Sequence, residues 1–186
     1  MTSVLALFLT LAAITAIAAF TDLRSGTIPN RLVALAFACA LPLRIWVEWQ
    51  TRAAASLGSV LVPALVQVVS GTLVLCLVPL VLFRLRAMGG GDVKLLAAVG
   101  ALGGPLLGME IELYSFVVAA VFAGAKLAYQ GELGRVLAGS ALLAFNPLLP
   151  SERRRTVPEG LGKTMRFAPA VFSATLLCTG VRWVLG

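Results

Sequence analysis

Two aspartates, Asp22 and Asp92, are the only ones in this chain of 186 residues, which contains no histidine. Each aspartate lies at the edge of a long apolar segment, and Asp92 directly follows Gly89, Gly90 and Gly91. An aspartate at the centre of a bilayer costs about 3 kcal/mol, so acidic residues near lipid are functional candidates. The sequence therefore predicts that any chemistry resides at this pair.

Two carboxylates held close together cannot both ionise comfortably, so such a pair retains one proton and offers a base and an acid near neutral pH. The base can take a proton from a water molecule that attacks a peptide carbonyl, while the acid supports the carbonyl oxygen. Cys39, Cys76 and Cys178 lie far apart inside apolar runs, and no Cys-x-x-Cys is present. We therefore expect no metal, no disulfide and no cofactor.

The neighbours of the two aspartates are candidate site residues. The three glycines before Asp92 permit positive φ and leave no side chain in the path of an extended peptide. Lys94 and Arg24 each lie two residues beyond an aspartate, where they can influence its ionisation or orient its loop. Asp92 begins a predicted helix and Asp22 ends one, so the helix dipoles predict that Asp22 more often carries the shared proton.

Each aspartate also has a purely structural interpretation. Asp92 can serve as an N-cap after a glycine turn, and Asp22 can be a loop residue paired with Arg24. Taken together, as the only aspartates and on one predicted membrane face, they favour the catalytic interpretation.

The composition indicates an integral membrane protein. Sixty per cent of the residues are hydrophobic and 12% are charged, whereas soluble domains have about 25% charged residues. A spanning helix needs about 20 residues, so residues 1–186 have room for about six crossings in one membrane domain. The net charge is +7, but the basic residues do not form a surface on which aromatic residues alternate with them, so we expect no nucleic-acid partner.

We predict an all-α bundle of about six transmembrane helices. They are Val4–Phe20, Leu32–Trp49, Leu57–Phe83, Val93–Leu107, Leu113–Tyr129 and Phe167–Leu185. Within the remaining segment, 131–166, the apolar stretch Leu133–Leu149 is interrupted by Arg and Pro, which favours an interfacial or partly inserted helix. The fourth helix covers only about 22 Å of a ~30 Å hydrocarbon layer, so one of its ends should lie below the membrane surface.

Basic residues predict the orientation of these helices. Most Lys and Arg follow the first, third and fifth predicted spans, and cytoplasmic loops are enriched in these residues. The N-terminus is therefore predicted outside, and both aspartate-bearing loops are predicted in the cytoplasm, at the inner membrane. Asp22 and Asp92 return to one face although 70 positions separate them, because the second and third spans carry the chain out and back.

Two motifs resemble those of the type IV prepilin peptidases, the GxGD-type membrane aspartyl proteases. The first is Asp22–Arg24 followed by Ile28–Asn30, and the second is the run Gly89–Ala101, with the sequence GGGDVKLLAAVGA. The resemblance covers most of the membrane core, from about Val4 to Tyr129. It implies that both aspartates are catalytic and that the substrate is a pilin-like precursor with a hydrophobic helix, cut on the cytoplasmic side after a glycine.

Two features depart from the larger members of that family. No insertion with paired cysteines separates the first two predicted spans, so we expect a peptidase without N-methyltransferase activity, similar to compact forms in tight-adherence (Flp-type) pilus systems. In the segment Met165–Ala170, Arg166 stands where the family usually has proline. The alternative from another class is a proton-coupled membrane transporter, in which the same carboxylates relay protons.

Overall fold

A computed structural model of the protein describes residues 2–52, 56–131, 134 and 166–185, and every regular element in these ranges is a helix. The helices are α1 (Thr2–Ser25), α2 (Asn30–Arg52), α3 (Leu57–Arg84), α4 (Gly90–Tyr129) and α5 (Ala168–Leu185). The first four are long and apolar enough to cross a membrane, and the last is apolar and shorter. The all-α prediction is thus confirmed, while six crossings and an outside N-terminus stay predictions.

The link between α1 and α2 is short because two residues define its ends. Gly26 has a φ of 67° and donates its backbone N–H to the Asp22 carbonyl at 2.9 Å. A left-handed residue just after the last turn ends many helices, and glycine adopts this conformation without steric cost. The carbonyl of Pro29 accepts the N–H of Leu32 at 3.0 Å as α2 begins. The end of α1 therefore stays next to the start of α2.

One face of α1 is buried, and Asp22 belongs to it. The buried residues Leu7, Leu11, Ile14 and Ala18 recur at intervals of three and four, and Asp22 follows four residues later. This spacing keeps side chains on one side of a helix. Helix α1 packs against α2 and α5, and α2 packs against α3. The side chain of Asp22 therefore points into the bundle.

Helix α4 contains a sharp break at Gly104, which has φ 71° and ψ 178° and precedes Pro105. A Cβ placed on Gly108 would lie 3.4 Å from the Cα of Gly100. Eight residues of straight helix would span about 12 Å. The chain therefore folds back on itself at the break, and α4 consists of two segments.

These two segments of α4 correspond to the predicted fourth and fifth helices. The prediction placed the end of the first one at Leu107, which is wrong by a few residues because the break lies at Gly104. Polar groups from α2 and α3 meet the break: Arg44 Nε donates to the Leu102 carbonyl at 2.8 Å, and Gln67 Oε1 would lie 2.5 Å from a Cβ on Gly104. A carbonyl at the end of a helical segment needs such a partner inside an apolar bundle.

The backbones of α3 and α4 touch at two glycines. A Cβ on Gly71 would lie 2.1 Å from the carbonyl oxygen of Gly100, and a Cβ on Gly100 would lie 2.2 Å from that of Gly71. No side chain fits between the two helices at this point. The contact fixes the first segment of α4, which carries Asp92, against α3.

The chain divides into two compact units. One consists of Met1–Val118 with Arg166–Gly186, and the other of Ala119–Met165. Both aspartates and the packing of α1, α2, α3 and α5 belong to the first unit. The predicted interfacial helix at Leu133–Leu149 lies outside the described residues apart from Gly134.

Candidate active site

The carboxyl group of Asp22 is held by the start of α5. Asp22 is only 6% exposed, and its Oδ2 accepts the backbone N–H of Ala168 at 3.3 Å. Ala168 is the first residue of α5, where backbone N–H groups lack partners within the helix and the dipole favours negative charge. The contact joins residues 146 positions apart.

This contact adds a second helix dipole to the environment of Asp22. The prediction that Asp22 carries the shared proton considered only the negative end of α1, where Asp22 lies in the last turns. The positive end of α5 acts on the same carboxyl group in the opposite sense. The location of the shared proton therefore stays a prediction.

Asp92 lies in the first turn of α4, behind a glycine that acts as the helix cap. The Gly89 carbonyl accepts the backbone N–H groups of Asp92 at 3.1 Å and Val93 at 3.4 Å, so Gly89 and not Asp92 occupies the N-cap position. Asp92 is the third helical residue, the position of the acidic residue in a capping box, and its Oδ2 lies 3.3 Å from where a Cβ on Gly89 would be. The carboxyl group therefore lies against the start of the helix.

The two aspartate-bearing segments lie side by side. Asp22 is close enough to Asp92 for its charge to act on the Asp92 carboxyl group. Lys94 Nζ donates to Asn30 Oδ1 at 3.1 Å, which ties the first turn of α4 to the start of α2. A Cβ on Gly91 would lie 3.6 Å from the side chain of Ile28. Both sequence motifs thus meet in one place.

The three glycines before Asp92 do not use positive φ. Among the described residues, the glycines with positive φ are Gly26, Gly104 and Gly131, so Gly89, Gly90 and Gly91 do not use the left-handed backbone that glycine permits. The property that the three glycines before Asp92 share is the absence of a side chain. A Cβ on Gly89 would lie 3.3 Å from Asp92 Oδ2, and one on Gly90 would lie 3.4 Å from the ring of Phe83. The glycines therefore provide space for the carboxyl group and for close packing.

The two candidate basic residues behave differently. Lys94 makes the contact with Asn30 described above and so links the loops. Arg24 is exposed in the last turn of α1, and within the described ranges neither a hydrogen bond nor an ion pair joins it to Asp22. The alternative pairing of Asp22 with Arg24 is therefore not seen among the described residues, and of these two basic residues Lys94 is the one that connects two elements of the site.

The sequence interpretation assigned no role to the segment just before α5, which reaches this site. The guanidinium group of Arg166 donates to the backbone carbonyl of Leu23, next to Asp22. Phe167 is buried, and its ring lies 5.4 Å, centroid to centroid, from that of Phe116 on α4. The sequence signals were an arginine directly before an apolar run and the resemblance of Met165–Ala170 to a family segment that usually has proline at this position. Neither signal indicates a partner for Arg166.

Comparison with known families agrees with this geometry. The sequence model of the type IV leader peptidase family matches residues 9–124, more than half of the chain, and this range contains both aspartates, the three glycines and Lys94. Comparison with curated proteins and with solved structures gave no match. The chain therefore belongs to the type IV leader peptidase family.

Proposed function

We propose that this protein is an aspartic endopeptidase that removes the leader peptide of prepilin-like precursors at the cytoplasmic face of the inner membrane. Membership of the leader peptidase family supports a protease. The observation that carries the proposal is that the segments bearing Asp22 and Asp92 meet: Lys94 Nζ donates to Asn30 Oδ1 at 3.1 Å, and Asp22 is near enough for its charge to act on the Asp92 carboxyl group.

The reaction follows from a pair of carboxyl groups that holds one proton. The ionised carboxylate takes a proton from water as the water oxygen attacks the carbonyl carbon of the scissile peptide bond. The protonated partner donates a hydrogen bond to the carbonyl oxygen, which gains negative charge in the tetrahedral intermediate. A proton then passes to the peptide nitrogen, the C–N bond breaks, and the leader leaves with a new carboxylate.

The position of the pair supports a substrate with a hydrophobic helix. Both aspartates are at the ends of long apolar helices, so a substrate that is itself a hydrophobic helix can lie in the bilayer beside them. Its leader junction would be extended near the three glycines, where side chains are absent. The paired cysteines of larger relatives are missing from this sequence, so the proposed reaction ends at cleavage and involves no N-methylation, as in Flp-type systems.

Cleavage in ¹⁸O-labelled water tests this proposal. The purified protein is incubated with a precursor consisting of a short basic leader, a glycine and a hydrophobic helix, and both fragments are analysed by mass spectrometry. We expect one cut after the glycine and one ¹⁸O atom in the new carboxylate of the leader. A Thr or Val in place of the substrate glycine serves as the control for the cleavage position.

The same preparation tests the transporter alternative. The protein is reconstituted in liposomes containing a pH-sensitive dye, and proton flux is measured under a pH gradient. Absence of cleavage for all pilin-like precursors, together with proton flux that Asp22→Asn abolishes, would overturn the peptidase proposal in favour of a transporter.

A further inference from the structure

Three consecutive residues before and at the start of α5 contact α1 or α4, and two of them reach the end of α1 that carries Asp22. Arg166 donates to the Leu23 carbonyl, Phe167 packs on Phe116, and the Ala168 N–H binds Asp22 Oδ2. The contacts of Arg166 and Phe167 do not involve the aspartate side chains, so they do not depend on the charge of the pair, whereas the Ala168 contact binds the Asp22 carboxyl group directly. The segment is therefore built against the end of α1 at the position of Asp22.

The Ala168 contact distinguishes the two oxygens of Asp22. Oδ2 is occupied by the Ala168 N–H at 3.3 Å. Within the described residues, no hydrogen-bond donor reaches Oδ1. The two oxygens of this buried carboxyl group therefore differ, since only Oδ2 is held by a described residue.

Arg166 stabilises the backbone that carries this carboxyl group. The last four carbonyls of a helix have no partner within it, and Leu23 is in the last turn of α1, which ends at Ser25. A cationic donor is favourable at this negative end of the helix dipole. The Arg166 guanidinium group supplies both the hydrogen bond and the charge, and it does so one residue after Asp22.

We propose that Arg166 and the Ala168 amide are positioning groups for Asp22: they fix Oδ2 and the end of α1, and they leave Oδ1 as the oxygen that meets the water and the partner carboxyl group. This inference rests on the proposed function. It assigns a role to the start of α5, which lies outside the range matched by the family.

Replacing Ala168 tests the amide. Ala168→Pro removes the N–H, and proline is well tolerated at the first position of a helix. Ala168→Gly is the matched control because it keeps the N–H and alters only the methyl group. We expect Ala168→Pro to lower kcat by about tenfold or more with KM within about twofold, since the carboxyl group is misplaced only for the chemical step. Ala168→Gly should stay within about threefold of the parent.

Replacing Arg166 provides a second test if Ala168→Pro does not fold. Arg166→Met loses the donor and its charge, whereas Arg166→Lys retains a cationic donor of similar length. We expect Arg166→Met to lower kcat by about fivefold or more. The decrease in log kcat caused by Arg166→Lys should be at most half of that caused by Arg166→Met. A purely structural role would lower the melting temperature and the amount of folded enzyme, with kcat per folded enzyme unchanged.

The outcomes separate this inference from the proposed function. Cleavage by the parent, together with folded Ala168→Pro or Arg166→Met variants that have parental kcat, overturns the positioning role alone. Absence of precursor cleavage by the parent overturns the proposed function first. Reduced kcat in Ala168→Pro and Arg166→Met, with partial rescue by Arg166→Lys, supports the positioning role.

Discussion

At the residue scale, Gly89 leaves just enough room for the Asp92 carboxyl group. A Cβ on Gly89 would lie 3.3 Å from Asp92 Oδ2, whereas a Cβ on Gly91 would lie 3.6 Å from Ile28, an ordinary van der Waals distance. We expect Gly89→Ala to displace the carboxyl group and lower kcat by about tenfold. Gly91→Ala should retain most of the activity.

A third variant separates crowding from loss of the helix cap. Serine is a better N-cap than alanine but carries the same Cβ, so Gly89→Ser should be as impaired as Gly89→Ala if crowding is the cause. Activities of the purified variants toward one precursor decide the matter. Parental activity in Gly89→Ala would show that Asp92 does not need this space.

The sequence predicted the candidate side chains of the site but not all of the groups that contact them. Asp22, Asp92 and the glycines were identified because acidic residues and glycine runs are rare in apolar sequence, and Lys94 was identified by its spacing. The Ala168 amide was not identified, because a backbone N–H has no residue-type signature and its partner lies 146 positions away.

At the element scale, the approach of α3 to α4 depends on two glycines. A Cβ on Gly100 would lie 2.2 Å from the Gly71 carbonyl oxygen and 3.1 Å from the Leu75 side chain. Gly100→Ala must push the helices apart, and we expect a loss of about 3 kcal/mol or more in stability together with loss of activity.

Gly180→Ala is the matched control for this prediction. Gly180 lies within α5, and nothing is within 4 Å of a Cβ placed there, so alanine should be neutral or stabilise by up to about 1 kcal/mol. Thermal unfolding of both variants in the same detergent provides the comparison. Equal melting temperatures for Gly100→Ala and the parent would contradict the close backbone contact.

Hydropathy located the elements better than their junctions. It favours a gap between the fourth and fifth predicted helices near Glu110 and Glu112, yet Glu112 is only 6% exposed within α4. The break is instead at Gly104, where Arg44 and Gln67 supply polar partners from other helices. The sequence assigned Arg44 no specific role, because the carbonyl that it binds is defined by tertiary packing.

At the scale of the whole molecule, the predicted orientation can be tested with single cysteines. The native Cys39, Cys76 and Cys178 are first replaced by alanine. Ser25→Cys then probes the link between α1 and α2, and Ser56→Cys probes the start of α3; both positions are exposed. In intact cells, a membrane-impermeant maleimide should label Ser56→Cys and should label Ser25→Cys only after permeabilisation.

The reverse labelling pattern would place the aspartates outside the cytoplasm and would contradict the proposed face of cleavage.

The apolar composition was sufficient to predict a helical membrane protein, because few other structures satisfy the hydrogen-bonding groups of the backbone in lipid. The number of crossings was harder to predict from the sequence. Helix α4, whose 40 residues fold back at Gly104, and helix α5, which has 18 residues, are defined by packing as much as by hydropathy.

Cleavage of a purified precursor by Asp22→Asn and Asp92→Asn, beside the parent protein, tests the joint action of the two aspartates most directly. Asparagine keeps the size of each side chain but can neither ionise nor share a proton. Glu110→Gln is the matched control, because Glu110 is an exposed carboxylate paired with Arg182 in the last turn of α5. We predict that each Asn variant loses about 10³-fold or more in kcat/KM with a parental melting temperature, and that Glu110→Gln cleaves normally. Cleavage by either Asn variant at more than about a tenth of the parental rate would contradict a mechanism that needs both carboxyl groups.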